Sequence, residues 1–506
     1  MKKITRIKYS NHPVLKNLEF NLVNTKEVSS HEYKSIIIGQ NGTGKSKLLE
    51  SICSIIIQLY ELIEYNKKLN LNYGFELDLY NEGSTLTIEY KQDNNALSSV
   101  KPLQEIKNYL PSKIIVNAYT FNEKYTINEN LDDFYSYCGL KTVTNSIFIN
   151  QPIEKTYYYL TEVLQDPDKT LIANEIFEEL KFSRRIKVIY TKSGAKHRSI
   201  LKNKDFLALI KSIKNTIYEK HIVELRNIIT ELTTSTGRNR TFRDTSIKRI
   251  IDNDNSLRLL LEYFHINSNI DKLIKNNLPE FEYNWEKDED EFIRVLNLEF
   301  INHIEPYRVL KELGIIRFNS FNIYRNEFFE FGEASSGEFH LLHTFISILS
   351  NIKDNSFVLI DEPEISLHPN WQNKTLHLLN PIFERYPNSH FLIATHSHFL
   401  VSSLKNKEST IVGIKRDKNN KLEIRNLEQI NPFGWSAEQI LFEIFGMVTD
   451  RNYYLSSLVQ EIINEMSKRN PNSKDIDKKI SLLKEYDLKN LHEEDPFKSI
   501  IENLIG

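Results

Sequence analysis

The sequence predicts an α/β fold: a mixed-sheet sandwich head, divided in sequence by a large, mainly helical insertion lobe. Three observations predict it. First, SIIIG (35–39), SFVLI (356–360) and HFLIA (390–394) read as short buried strands, the first about three hundred residues from the other two. Second, KSKLLESICSIIIQLYELI follows SIIIG after a glycine-rich turn and carries Leu48, Leu49, Ile52, Ile55, Ile56 and Leu59 at helical spacing. Third, from about 150 to 310 apolar residues recur mostly at helical intervals, as at Phe206, Ile210, Ile213, Ile217, Leu225, Ile229 and Leu232.

The remaining strands make the sheet mixed. MKKITRIKYS reads as a first strand and LKNLEFNLV as a second. FELDLYNE and STLTIEYK (75–91) alternate about a turn at Asn81 to Gly83, the pattern of an antiparallel hairpin. PSKIIVNAYTFNEKY (111–125) reads as a further strand.

At 506 residues the chain exceeds what one core needs, so two or more lobes are expected. The formal net charge of −3 gives no global pull toward nucleic acid or membrane. Two cysteines, Cys53 and Cys138, argue against a disulfide framework and fit a reducing, cytoplasmic setting. The basic N-terminus lacks the apolar core of a signal peptide, and no apolar run reaches the roughly 18 residues of a membrane span.

The octet GQNGTGKS (39–46) is the first candidate site, with strand before it and helix after it. It fits G-x-x-x-x-G-K-[ST] at Gly39, Gly44, Lys45 and Ser46, with Asn41 and Gly42 inside the turn. Such a loop aims its backbone N–H groups at phosphate oxygens. Lys45 is then placed to reach β- and γ-phosphates, and the Ser46 hydroxyl to hold Mg²⁺.

Downstream, SFVLIDEPEISLHP (356–369) ends an apolar strand in two carboxylates, a Walker B pattern. Asp361 would bind Mg²⁺ and Glu362 would act as general base on an attacking water. HFLIATHSHFL (390–400) ends another buried strand near His396. A zinc site built from His390, His396 and His398 competes with that, but it lacks Cys or acidic partners at ligand spacing. Upstream, ASSGE (334–338) opens a helix with small residues that expose backbone N–H groups.

ASSGE is similar to the LSGGQ signature of ABC-type ATPases, with Ser336 for the first glycine and Ala334 for leucine. GQNGTGKS, SSGE, VLIDEPEISLHPNWQ and IATHSHFLV, in that order, resemble the ABC/SMC-related ATPases of the RecF and OLD type. The resemblance covers about residues 1–125 and 310–430. It implies an ABC-type P-loop head that binds ATP and Mg²⁺, with His396 as the H-switch at the γ-phosphate. It also implies Ser335, Ser336 and Gly337 acting on the ATP of a second copy in a head-to-tail dimer or higher oligomer. Ser366, Leu367 and His368 then stand at the D-loop. The Q-loop position falls to Asn117, Asn122 or Glu123. YCGLK (137–141) and PFGWSAEQIL (432–441) resemble the PtuA type found in Septu and Septu-type retron antiphage systems. That narrower likeness implies an ATPase paired with a separate HNH nuclease of the PtuB kind, with no nuclease of its own.

The expected boundaries are 1–125 and 311–430 for the two parts of the head, 126–310 for the insertion lobe, and 431–506 for a helical tail making partner or oligomer contacts. Two basic stretches, 181–204 and 236–249, are candidates to track DNA or retron nucleic acid, against the plainer reading of a solvated face balanced by EKDEDE (286–291). A RecF-like repair clamp and a nucleotide-bound scaffold with little turnover are the alternative functions.

Overall fold

A computed structural model describes residues 1–23, 33–119, 124–125, 133–139, 150–192, 203–213, 219–234, 251–267, 280–284, 306–311, 316–402, 404, 409–417, 419–427, 432, 435, 437–444, 453–468, 471–485 and 496–505. The chain forms two compact units, Met1–Gly139 with Lys353–Gly506, and Leu140–Ile352.

The first part of the chain supplies β1 (Lys2–Ser10), β2 (Glu19–Asn21), β3 (Tyr33–Gly39), helix α1 (Lys45–Tyr65), β4 (Gly74–Asn81), β5 (Ser84–Lys91), β6 (Ala96–Ser99), β7 (Ile114–Ala118) and β8 (Tyr135–Tyr137). The second unit holds β9 (Arg185–Lys192), β10 (Glu280–Asn284), β11 (Ile316–Tyr324) and β12 (Phe328–Glu330). The chain then returns through β13 (Phe357–Asp361), β14 (His390–Thr395), β15 (Ser409–Arg416) and β16 (Leu422–Asn426).

The first unit packs two sheets against α1. One is antiparallel, in the order β2-β1-β4-β5-β6. Its β4–β5 hairpin turns at Glu82 (φ 46°) and Gly83 (φ 86°), the left-handed pair that suits the twist of a tight hairpin. The other sheet runs β16-β15-β3-β14-β13-β7-β8 and is parallel except at β16. Its central strands are buried on both faces, which is why SIIIG and FVLI are unbroken apolar runs. The face of α1 carrying Leu48, Leu49, Ile52, Ile55, Ile56 and Leu59 closes one core with Leu77 and Ile88 of the first sheet and Leu359 and Leu392 of the second. Each such buried side chain contributes about 1.5–3 kcal/mol.

Parallel register aligns the strand ends that matter. Asp361 pairs with Ala394, and Ala394 pairs with Ile37. The carboxyl ends of β3, β14 and β13 therefore lie side by side on one sheet edge, where open α/β sheets bind ligands. The tail helices Tyr453–Met466, Ser473–Glu485 and Pro496–Ile505 surround a small core of Val459, Ile462, Leu483 and Ile501.

The second unit adds a four-stranded antiparallel sheet, β10-β9-β11-β12, to its helices. β9 lies in the basic stretch 181–204, and β10 in the stretch that the sequence reads as helical. Strands β11 and β12 and the helix Ser336–Asn351 group here, where the sequence placed them with the head. β11 pairs with β9, and on that helix the His343 ring meets Thr156 of helix Asn150–Val163 (2.7 Å). Residues 193–202 and 236–249, Asn122, Glu123, Leu140 and Lys141 lie outside the described residues. Among the described residues no helix is long and apolar enough to cross a membrane.

Candidate nucleotide-binding site

The octet forms the turn between β3 and α1. A Cβ at Gly39 would collide with the Ile414 carbonyl and stand 2.7 Å from Thr43 Oγ1, so only glycine fits. Gly44 has φ 97°, a left-handed conformation that glycine alone adopts without strain. As the N-cap of α1 it offers no side chain, and the first turn of α1 contains no acid. The leading N–H groups and the positive end of the helix dipole are left for an anion. Asn41 and Gly42 are exposed at the tip of the turn.

Lys45 is almost fully buried and folds back on its own loop. Its Nζ donates to Gly39 O (2.8 Å) and Gln40 O (3.3 Å). Burial lowers its pKa, while Glu362, Glu364 and Asp361 pull it back up. The ammonium thus bonds to carbonyls inside a loop of outward-facing donors, an arrangement that fits a polyphosphate.

Ser46 Oγ donates to Asp361 Oδ1 (3.0 Å), and the Tyr125 hydroxyl lies 3.4 Å from Asp361 Oδ2. Asp361 is fully buried, which pushes its pKa up to about 7 against the opposing hydrogen bond from Ser46. A desolvated carboxylate paired with a hydroxyl is a hard oxygen donor set, and it suits Mg²⁺.

Glu362 has φ 54°, an uncommon conformation for a residue with a side chain, fixed as its N–H donates to Ala394 O (2.9 Å). The neighbouring His396 ring holds its pKa below the usual carboxylate range, against burial. His396 follows the last residue of β14 and is half-exposed. Its Nδ1 lies 3.8 Å from Glu362 Oε1 and 3.1 Å from Glu364 Oε1. Its pKa is raised, first by the neighbouring Glu362 and then, against burial, by Glu364. A carboxylate with a lowered pKa and an imidazole with a raised one thus stand together at the sheet edge.

The three-histidine zinc alternative does not form. His390 opens β14 and His396 follows its close, about 20 Å away along an extended strand. His390 is a core residue whose Nδ1 accepts from Ile4 N–H (3.2 Å). Asn117 is buried within β7. Of the residues expected at the D-loop, Ser366 is exposed at φ 65°, Leu367 is buried, and the His368 ring caps helix Pro369–Arg385.

The signature residues belong to the other unit. Ser335 caps helix Ser336–Asn351 in a capping box: its Oγ accepts from Glu338 N–H (3.3 Å), and Glu338 Oε2 accepts from Ser335 N–H (3.2 Å). Arg325 Nη2 donates to Glu338 Oε1 (2.6 Å) and holds that carboxylate in place. Ser336 is exposed and Gly337 buried. The structure therefore gathers Gly39, Asn41, Gly42, Gly44, Lys45, Ser46, Asp361, Glu362 and His396 in one unit, with Ser335, Ser336 and Gly337 in the second.

Sequence reasoning missed three residues near this site. Glu364 follows Asp361 at a spacing that gives no sign of its contact with His396. Tyr125 comes from a loop beyond β7. Arg416 closes β15 and donates from Nη2 to Gly42 O (2.8 Å) at the tip of the octet turn. Only parallel pairing of β15 with β3 brings it there.

Comparison with known proteins gives distant matches. A family model described as "AAA domain, putative AbiEii toxin, Type IV TA system" matches residues 178–402, which take in the signature, Asp361, Glu362 and His396 but not the octet. The Retron Vc95 probable ATPase of Vibrio cholerae serotype O1 biovar El Tor is 23% identical over 435 residues, 82% of this chain and 75% of that one. The chain is distantly similar to this ATPase. The Septu protein PtuA of Bacillus thuringiensis is 28% identical over 115 residues, 22% of this chain. That match spans only 28% of the PtuA chain. Among solved structures, an Smc head domain with an extended coiled coil from Pyrococcus furiosus aligns at TM-score 0.35 and 14% identity, over 88% of this chain and all of that one. The SMC head domain from Thermotoga maritima aligns at TM-score 0.33 and 11% identity, over 84% of this chain and 98% of that one.

Proposed function

We propose that the protein is an ATP-binding and -hydrolysing subunit of a bacterial antiphage defence system, of the PtuA kind, that assembles with and governs a separate HNH nuclease. The observation that carries the ATPase reading is the Ser46–Asp361 pair beside an uncapped helix N-terminus, with Glu362 and His396 on the same sheet edge. Bound Mg·ATP supplies a phosphorus open to attack by water. Lys45 and the leading amides of α1 hold phosphate oxygens. Ser46 and Asp361 hold the Mg²⁺. Glu362, kept ionised, takes the proton of the attacking water. His396 contacts the γ-phosphate, and Ser335, Ser336 and Gly337 complete the site of a second copy in a head-to-tail dimer or higher oligomer.

Distant kinship with PtuA and with a retron ATPase supports the defence role. The nuclease partner rests on the PtuA likeness. Retron nucleic acid or DNA would meet the chain through 181–204 and 236–249. Within the first stretch Arg185 is committed to stacking over Tyr324 (4.3 Å) and Phe328 (5.4 Å), which leaves less of it for phosphate.

Three measurements test the reading. Glu362→Gln should cut ATP turnover by about 10²–10⁴-fold and accumulate ATP-bound dimers; unchanged turnover removes Glu362 as the base. Lys45→Ala should abolish ATP binding. A tagged pull-down from the native host, read by mass spectrometry and nucleic-acid extraction, should return a stoichiometric small HNH protein. Recovery of the chain with DNA and replication factors instead would move the repair clamp ahead.

A further inference from the structure

Glu364 is a buried carboxylate that the ATPase chemistry above does not use. It stands three residues after Asp361, in the loop that leaves β13, and is only 3% exposed. Its Oε1 gathers three groups from the end of β14. Thr395 Oγ1 donates to it at 2.8 Å and His396 N–H at 2.6 Å, and His396 Nδ1 lies 3.1 Å away. One oxygen thus touches both the backbone and the ring of the same histidine. Its other oxygen, Oε2, is buried without a hydrogen-bond partner. An acid half-satisfied in the interior is costly, and native structures keep such groups for a reason.

The wiring continues past Glu364. Ser397 N–H donates to Thr395 Oγ1 (2.9 Å), and Ser397 Oγ donates to Gln372 Oε1 (2.8 Å). Gln372 in turn donates to Leu367 O (3.0 Å) in the D-loop. The backbone around His396 is therefore tied on both sides, while the ring's ionic contacts among the described residues run through Nδ1 to the two carboxylates. With Nδ1 taken, Nε2 is the ring nitrogen left for a ligand, as when a carboxylate orients a metal-binding or catalytic histidine through its far nitrogen.

We infer that Glu364 is a positioning residue: it holds Nδ1 and the backbone N–H of His396 and so presents Nε2 to the γ-phosphate of bound ATP. Glu362 serves the attacking water and Glu364 serves the histidine, which gives the two acids of DEPE separate duties. The inference rests on the nucleotide reading of the site.

The test compares wild type, Glu364→Gln, Glu364→Ala, His396→Ala and the double variant His396→Ala/Glu364→Gln. The primary readout needs no turnover: the affinity for a non-hydrolysable ATP analogue divided by that for ADP, each with Mg²⁺. Glu364→Gln keeps the shape and removes the charge, so it remains informative if Glu364→Ala does not fold. Glu364→Gln should lower the preference for the analogue by about 10-fold and should add nothing in the His396→Ala background. Equal weakening of both nucleotides, or a full effect persisting without His396, would make Glu364 merely structural. A wild type that prefers the analogue, with Glu364→Gln unchanged, overturns this inference alone. A wild type that binds neither nucleotide overturns the nucleotide reading and this inference with it.

Discussion

Strand β14 is bracketed by two histidines that the structure treats in opposite ways. His390, at its start, is fully buried. Burial and the nearby Lys3 charge push its pKa down to about 3, so the ring is neutral. Its Nδ1 accepts from Ile4 N–H, so Nε2 carries the proton and faces Ser35 Oγ at 2.8 Å. Ser35 Oγ donates in turn to Leu22 O (2.5 Å). One ring thereby ties β1, β3 and the end of β2 to β14. His396, at the far end, is half-exposed and has two carboxylates at Nδ1 that raise its pKa. The same residue type is a neutral strut at one end and, at the other, an imidazole held beside two carboxylates at the sheet edge. What surrounds the ring decides which, not its place in an apolar run.

The strongest way to break this contrast is to truncate each ring in turn. His390→Ala leaves a cavity and strands Ile4 N–H and Ser35 Oγ. It should cost about 3 kcal/mol of stability, read by denaturant unfolding. His396→Ala should stay within about 0.5 kcal/mol of wild type yet lose roughly 100-fold in ATP turnover. Equal losses of stability in the two variants would mean that the rings are not different in kind.

The contrast also marks what the sequence could and could not say. Strands β3, β13 and β14 were legible because parallel strands buried on both faces must be continuously apolar. The octet was legible because a turn with φ 97° at Gly44 and a crowded Gly39 admits few sequences. β9 and β10 were not, since RIKVIYTK sits among helical patterns and finds its partner β11 only about 125 residues later. Glu364 and Arg416 escaped for the same reason. Their roles come from cross-strand neighbours, at His396 and Gly42, that no local spacing encodes. The grouping of helix Ser336–Asn351 apart from β13 was equally invisible, because the boundary falls between the adjacent residues Ile352 and Lys353.

A smaller effect sharpens the neutral end. His390 has a folded pKa of about 3 and an unfolded value near 6.5, so between these the unfolded chain binds more protons. Its contribution is complete above about 6.5 and is lost as pH falls toward 3. Lys3, pushed down to about 7 by burial, is charged throughout that window and adds to the cost of protonating the ring. Stability curves of wild type and His390→Asn should converge as pH drops from about 6.5 to 4, because the variant has no imidazole to titrate. Parallel curves would mean that other groups carry the acid loss.

The smallest expected effect isolates the bond that keeps His390 in place. Ser35→Ala removes the acceptor of His390 Nε2–H and the donor to Leu22 O at once. Two buried polar groups then lack partners, so stability should fall by about 1–3 kcal/mol with ATP turnover unchanged. Because one of those groups is the imidazole itself, Ser35→Ala should cost less when His390 is already alanine. A double-mutant cycle reads that difference directly as a coupling of about 0.5–3 kcal/mol. Strict additivity would place the worth of Ser35 in its bond to Leu22 alone. His390 would then be held by its burial and by Ile4, with no part played by the hydroxyl on β3.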